Sequence, residues 1–511
     1  MAVRGIPKRE LITPYKAMER SARSEVVQTR DESRVATSRC LTRYQKYLLV
    51  LFLITLPFVN PWVHGDGVGY YALARSLLIE HRLDFQQDWL HANPEFRLSH
   101  TDENGLFPPS NYTATGRLSN HFAIGPAILW SPVLLITHGG VLLCDAMGAH
   151  IPANGFSKPY IVSMAVSTAL YGFLALWISF QIARRYLAER WAFLGTVGIW
   201  FASSLPVYMY FNPSWSHAHS AFVVAVFLWY WDRTRGPRTP PQWILLGLIA
   251  GLMMDVYYVS AIMLLLPCLE SLAFYGRALP SGRIRASASL LLSDILFVGA
   301  ALVAFLPTLV TKKIIFGSYF DFGYTEHWYW NSPALLKVSF SAEHGLFSWT
   351  PIVVLAVLGL IFFIKRDRNF GLYSLAAFAV YLYAIGCYQD WNGIASFGNR
   401  FFISLTPLFV LGLAAFFDWL ARAWNDHRAR NTAAASTILL TVWNLGMMYQ
   451  WGMHLIPVRG PISWRDTVRN QFVVVPIQAG RTFERYLLRR SALMQRIEDE
   501  DMRQLRSKPS P

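Results

Sequence analysis

The chain has 511 residues, of which 54% are hydrophobic, 15% aromatic and only 15% charged, with a formal net charge of +15. That balance excludes an ordinary soluble enzyme and fits a chain that spends most of its length in lipid. Its basic excess gathers at helix ends and in the tails, without zinc-finger spacing or a base-reading helix, so nucleic acid is not the expected partner. The four cysteines, Cys40, Cys144, Cys268 and Cys387, lie far apart and form neither a disulfide framework nor a metal spacing.

Residues 1–45 carry ten basic side chains against five acids and read as a cytoplasmic tail near anionic lipid. A first span over residues 47–63 then delivers Asp66 to the outer face, at the start of an apolar segment suited to the interface. A carboxylate where a hydrophobic helix leaves the bilayer is costly unless it binds something or does chemistry. Asp66 has a plainer reading as the N-cap of the helix that follows.

Residues 121–144 are long enough to span, but Gly125-Pro126, Ser131-Pro132 and Gly139-Gly140 interrupt them. The next span, 159–182, ends in Arg184 and Arg185, which belong inside. The charge pattern therefore favours a re-entrant or surface helical pair at 121–144 over a kinked single span. Spans at 191–211 and 216–231 follow. The block 243–275 lies between basic loops and is expected to cross twice, as two short helices meeting near Asp255–Tyr258. Spans at 289–311, 346–364, 371–388, 400–420 and 433–453 complete a count of about eleven. The expected fold is all-α and polytopic, with domains at 1–45, 46–455 and 456–511. Eleven spans put the C-terminus outside, whereas the eleven basic residues from Pro457 onward argue for the inside.

The outward loops collect polar residues that suit a charged substrate attached to a lipid. Asp66 is the candidate general base. Arg400, Lys312, Arg117, His121, Tyr70, His344 and Asp390 are the candidate substrate-binding residues. Arg400 serves equally as a snorkelling interfacial side chain or as a phosphate ligand. The run Trp328-Tyr329-Trp330 reads as an interfacial belt before it reads as a sugar platform. His217 and His219, two apart, are poorly spaced to share a metal. Carboxylates in the outer loops could hold a divalent cation, but no ligand spacing requires one, and no other cofactor is expected.

The stretch GDGVGYYALARSLLIEHRLD resembles the start of the first external loop in polytopic C-type (GT-C) glycosyltransferases. That superfamily includes protein O-mannosyltransferases and bacterial lipid A aminoarabinose transferases. RLSNHFAIGPAILWSPVLL is similar to the later part of that loop, and HGLFSWTPIVVL and DWNGIASFGNRFFISLTPLFVL resemble further segments, together covering residues 46–455 in architecture. Mannosyltransferases tend to carry adjacent Asp-Glu at the loop start, where this chain has Asp66-Gly67. The resemblance implies inverting transfer from a polyprenyl-phosphate sugar to a lipid, glycan or protein acceptor, on the outer face of an inner or plasma membrane. The alternative from another class is a carrier or flippase for a lipid-linked or anionic envelope substrate.

Overall fold

A computed structural model describes residues 41–102 and 104–506. Most of the expected N-terminal tail, residues 1–40, lies outside the described residues. Helix α1 is Arg43–Thr55. The unit that begins at Leu48 contains everything discussed below. Apart from two isolated bridges, Tyr112 to Leu118 and Trp328 to Tyr388, its described residues form helices, turns and irregular connections.

Helix α2 is Asp66–Leu78 and α3 is Gly125–Ala146. The expectation of a helical pair at 121–144 is corrected here, because α3 is one continuous helix of 22 residues with Pro132 inside it. Proline removes the backbone donor to the carbonyl four residues earlier. That carbonyl, on Ile128, accepts instead from the Ser131 hydroxyl at 2.7 Å. The side chain beside the proline thus satisfies the group the proline leaves bare, which a reading of Ser131-Pro132 as a breaker overlooks.

Helices α4 (Lys158–Tyr186), α5 (Glu189–Ala202), α6 (His217–Thr234) and α7 (Pro240–Val256) follow. The expected break near Asp255–Tyr258 is present: Tyr257 is extended, and a 3-10 turn, Tyr258–Leu264, leads into α8 (Leu265–Ala278). Helix α9 (Ile284–Phe316) has 33 residues and carries Pro307. At that proline the Asp255 carboxylate accepts from the Thr308 hydroxyl at 2.5 Å and from its amide at 3.3 Å, tying α7 to α9. The remaining long helices are α10 (Ile352–Phe363), α11 (Arg368–Cys387), α12 (Thr406–Ala423) and α13 (Asp426–Gly452). A 3-10 turn, Arg400–Leu405, precedes α12.

Six described helices are long and apolar enough to cross a membrane: Gly125–Ala146, Lys158–Tyr186, Tyr258–Ala278, Ile284–Phe316, Arg368–Cys387 and Arg400–Ala423. Pro240–Val256 and Ile352–Phe363 are apolar but shorter. The chain is a helical multi-pass membrane protein, and the count of eleven is not established. Helix α12 is the most deeply packed of the six, whereas α9 turns Ile295, Val298, Leu302 and Val303 outward.

Ion pairs gather the connections that charge had assigned to one side. Arg185 meets Asp232 at 2.8 Å, Arg235 meets Asp367 at 2.6 Å, Arg366 meets Asp418 at 3.1 Å and Arg190 meets Asp426 at 2.5 Å. These pairs lie at the end of the bundle opposite Asp66.

The C-terminal segment folds onto the Asp66 end. Helices α14 (Val475–Leu488) and α15 (Arg490–Arg506) form a strap there. The Tyr486 hydroxyl donates to Phe58 O at 2.8 Å, and Arg490 donates to Val59 O and Pro57 O, both at 2.5 Å. Glu498 accepts from Asn93 Nδ2 and from the Glu95 amide, each at 2.8 Å, and His454 meets Asp501 at 2.7 Å. The tail's side, which charge and span count left in conflict, is therefore the side of Asp66.

Glu95 sits half-buried in this latch, near Asp501 and Glu498, with Arg459 at 3.6 Å. Burial first, and then the Asp501 charge, push its carboxyl from 4.5 up to about 7. A folded-state value above the unfolded one means that the folded chain holds the proton more tightly, so stability falls as pH rises through that window. Thermal melts in detergent should show the wild type losing stability between about pH 4.5 and 7 through this group. Glu95→Gln should flatten that dependence and melt higher than wild type at pH 8. An unchanged pH profile in the variant would contradict the assignment.

Candidate active site

The site is built where α2 begins. Gly65, at φ 53°, caps the helix in a conformation that disfavours side chains, and a Cβ there would stand 3.0 Å from the Trp215 ring. A Cβ on Gly67 would fall 1.9 Å from Ser214 Oγ, and one on Gly69 would fall 2.0 Å from the Phe122 ring. The alternating glycines of Gly65-Asp66-Gly67-Val68-Gly69 thus let Trp215, Ser214 and Phe122 press directly against the first turn. Asp66 is the first helical residue rather than the cap, and no side-chain capping bond is made. The helix's opposite end is anchored by buried Arg75. Its guanidinium donates to both Asp88 oxygens, at 2.5 and 2.7 Å, and to Asn154 O at 3.2 Å.

Asp66 Oδ2 lies 2.8 Å from Arg400 Nη1. The two residues are 334 positions apart in sequence, and Arg400 reaches the pair from the turn that opens α12. Its guanidinium lies over the Trp215 ring, 4.5 Å from the centroid, and Arg400 Nε has no protein partner. Trp215 Nε1 donates to His64 O at 3.0 Å, and the His64 ring bonds Asn212 Oδ1 at 2.9 Å and packs on Trp62 at 3.7 Å. Burial lowers the pKa of His64, which favours a neutral ring.

Asp66 and Arg400 form part of the wall of a cavity of about 1100 Å³. Most of the lining is apolar, including Phe58, Phe201, Phe211, Leu445, Met448 and Trp451, and the strap contributes Val475, Phe483, Leu493 and Ile497. Charged groups enter the wall at two places, Asp66 with Arg400, and Glu95, His454, Arg459 and Asp501 beside the strap, and His64 and Asn212 add polar atoms near the first. A largely apolar chamber with ion pairs set in its wall suits an amphiphile with a charged head.

The other residues singled out from sequence are placed elsewhere. Tyr70, one turn beyond Asp66, accepts from Ser216 Oγ at 2.9 Å, and burial raises its phenol pKa. Lys312 lies in α9 rather than in a loop and is almost wholly buried. Its ammonium donates to His121 O at 2.8 Å, Phe122 O at 3.1 Å and Asn120 O at 3.4 Å, fixing the segment that presses on Gly69. Arg117 donates to Leu83 O at 3.1 Å and Ile314 O at 3.3 Å. The His121 ring packs 4.9 Å from Tyr324. His344 is buried against Trp349 at 4.8 Å, and burial followed by the Arg400 charge lowers its pKa to about 4. Asp390 is half-buried, its carboxyl raised by burial and then by Glu326. None of these six lines the cavity.

His217 and His219 diverge, the first beside Tyr208 at 4.8 Å and the second between Trp130 and Tyr171 at 5.0 and 5.2 Å. Among the described residues, no group of three or more His, Cys, Asp or Glu side chains gathers as a metal site. Sequence reasoning collected His64, Asn212 and Trp215 among the outward-loop residues of a substrate chamber but gave none of them a specific role. The signal for their packing against α2 was the glycine alternation, which marks close approach by another segment without naming it.

No family model matches the chain, and no curated protein matches it. Among solved structures it is similar to the crystal structure of ArnT from Cupriavidus metallidurans in the apo state. The identity is 14% and the TM-score 0.44, over 80% of this chain and 70% of that one. A likeness of that extent assigns no chemistry, which rests on this chain's own residues.

Replacing Gly67 by Ala should displace α2, because its Cβ would overlap Ser214 Oγ and Cβ. The expected loss is about 1–3 kcal/mol, as for overpacking elsewhere, read as a lower melting temperature. Ser214→Gly in the same chain should restore part of it. A double variant no better than Gly67→Ala alone would show that the contact is not the cause.

Proposed function

We propose that this protein is an integral-membrane glycosyltransferase that moves a sugar from a polyprenyl-phosphate donor to a hydroxyl acceptor, on the outer face of the inner or plasma membrane. The observation that supports this reading best is the Asp66–Arg400 pair at 2.8 Å in the wall of a large apolar cavity. A sugar on a lipid phosphate brings its own leaving group. The protein must then supply an acceptor for the hydroxyl proton and a cation for the departing phosphate.

Arg400 suits the second task, since its Nε is already without a protein partner and a guanidinium can hold phosphate oxygens in a bidentate fork. When an anionic head group engages Arg400, the Asp66 carboxylate is released from its partner and can turn to the acceptor. In the transfer step Asp66 takes the acceptor O–H proton, and the acceptor oxygen forms a bond to the anomeric carbon. The bond from that carbon to the phosphate oxygen breaks, its electron pair leaving with the lipid phosphate. Attack opposite the leaving group inverts the anomeric centre. The apolar cavity accommodates the start of the prenyl chain, and Trp215 holds the guanidinium by its ring face.

Asp66→Asn should lower transfer by roughly 10²–10⁴-fold, the range for losing a general base, and lower the melting temperature modestly while the chain still folds, because Arg400 is left without its carboxylate. Arg400→Ala should weaken donor binding more than it changes the turnover of bound donor, and Arg400→Lys should not restore it, because lysine lacks the planar fork. The assay is purified protein with radiolabelled polyprenyl-phosphate sugars and a membrane-extract acceptor. Near-normal transfer by Asp66→Asn would remove the carboxylate from the mechanism. Label that crosses proteoliposomes unchanged, without transfer, would favour the carrier reading.

A further inference from the structure

The strap has a second face that the cavity does not use. In α14 the residues turned to the cavity include Val475, Ala479, Thr482 and Tyr486. With Phe483 and Gly480, which also line the cavity, these fall within one half of the helix circumference at 100° per residue. On the far side lie Ile477 and Leu488, exposed to 72% and 76%. Arg481 and Arg485 lie along one side of this stripe, both exposed, and Arg489 follows one residue past the helix. None of the three forms a salt bridge with another described residue. Glu484 is the only acid in the segment 475–489, which carries a net charge of +2 from three arginines and one glutamate.

Large apolar side chains set beside unpaired arginines are poorly suited to open water and well suited to the boundary between lipid head groups and acyl chains. The same chain carries six helices fit to span a bilayer, so such a boundary lies at the end of the bundle that the strap covers. The charge pattern also selects among occupants. A second copy related by a twofold axis would bring the flanking arginines of both chains together, whereas anionic head groups would neutralise them.

We propose that the outer face of α14 docks on the anionic surface of a lipid bilayer, and that this docking seats the strap as a wall of the cavity. The inference does not depend on what the cavity binds. It fits the contacts on the inner side, where Tyr486, Arg490 and Glu498 fasten the strap to residues 57–59 and 93–95.

The test uses the full chain with its four cysteines replaced by serine and a single nitroxide label introduced through Ile477→Cys or Leu488→Cys. A control label is introduced through Arg496→Cys on α15. Each protein is placed in nanodiscs of phosphatidylcholine, with or without phosphatidylglycerol. Oxygen and nickel-chelate accessibilities then report depth. Labels at 477 and 488 should favour oxygen several times more than the control, and more strongly with phosphatidylglycerol. Arg481→Gln with Arg485→Gln should remove that lipid dependence, while the melting temperature verifies folding. If the double variant does not fold, the comparison of the two lipid compositions with the arginines intact decides alone. Labels open to nickel in both lipids would overturn the proposal. So would labels shielded from both reagents that cross-link between copies, which would identify a protein interface, and so would oxygen preference indifferent to phosphatidylglycerol.

Discussion

A guanidinium and a carboxylate held 2.8 Å apart on the wall of an apolar cavity impose demands on everything around them. Arg400 is largely withdrawn from water while Asp66 stays a third exposed, so losing the carboxylate leaves a mostly buried guanidinium uncompensated. The pair is therefore stable only if both side chains are brought together and kept there. Trp215 meets this need on one side, since it faces the guanidinium and bonds the backbone of His64. The closely packed first turn of α2 meets it on the other. The cavity surrounds a charged pair that an arriving anion can divide, because Arg400 already holds a donor with no protein partner.

The surrounding architecture reads as support for that turn. Arg75 anchors the far end of α2 through Asp88 and Asn154. Lys312 fixes residues 120–122, whose Phe122 closes on Gly69. The strap closes the cavity from the Asp66 end through Tyr486, Arg490 and Glu498. Cations expected at the substrate thus act largely on backbone carbonyls, where each satisfies acceptors that a buried loop would otherwise leave bare. Arg400 differs because its guanidinium has a carboxylate partner and an Nε with no protein partner.

Much of this was legible in the sequence, and the reasons for success and failure are physical. Apolar length and terminal arginines located most long helices, and Asp255–Tyr258 marked the break between α7 and α8 correctly, because burial and charge are local properties of the chain. The Ser131-Pro132 pair misled, since the hydroxyl that repairs a proline's missing bond looks the same as a breaker. Lys312 misled because α9 runs five residues past the expected boundary and carries it indoors. Asp66 and Arg400 were both chosen from their settings, yet their pairing across 334 residues has no local signature. The same holds for Trp215 and His64, which were visible as residues and invisible as neighbours.

The central claim is that the Asp66–Arg400 pair is the reactive centre and not a structural clasp. The most direct measurement exchanges the two charges, comparing Asp66→Arg with Arg400→Asp, singly and together, for melting temperature and for release of polyprenyl phosphate from labelled donor. The account predicts that the exchanged pair regains stability lost in the single variants and still releases no lipid phosphate, because the base and the phosphate ligand have traded places. Recovery of transfer along with stability in the exchanged protein would contradict it and leave the pair a clasp.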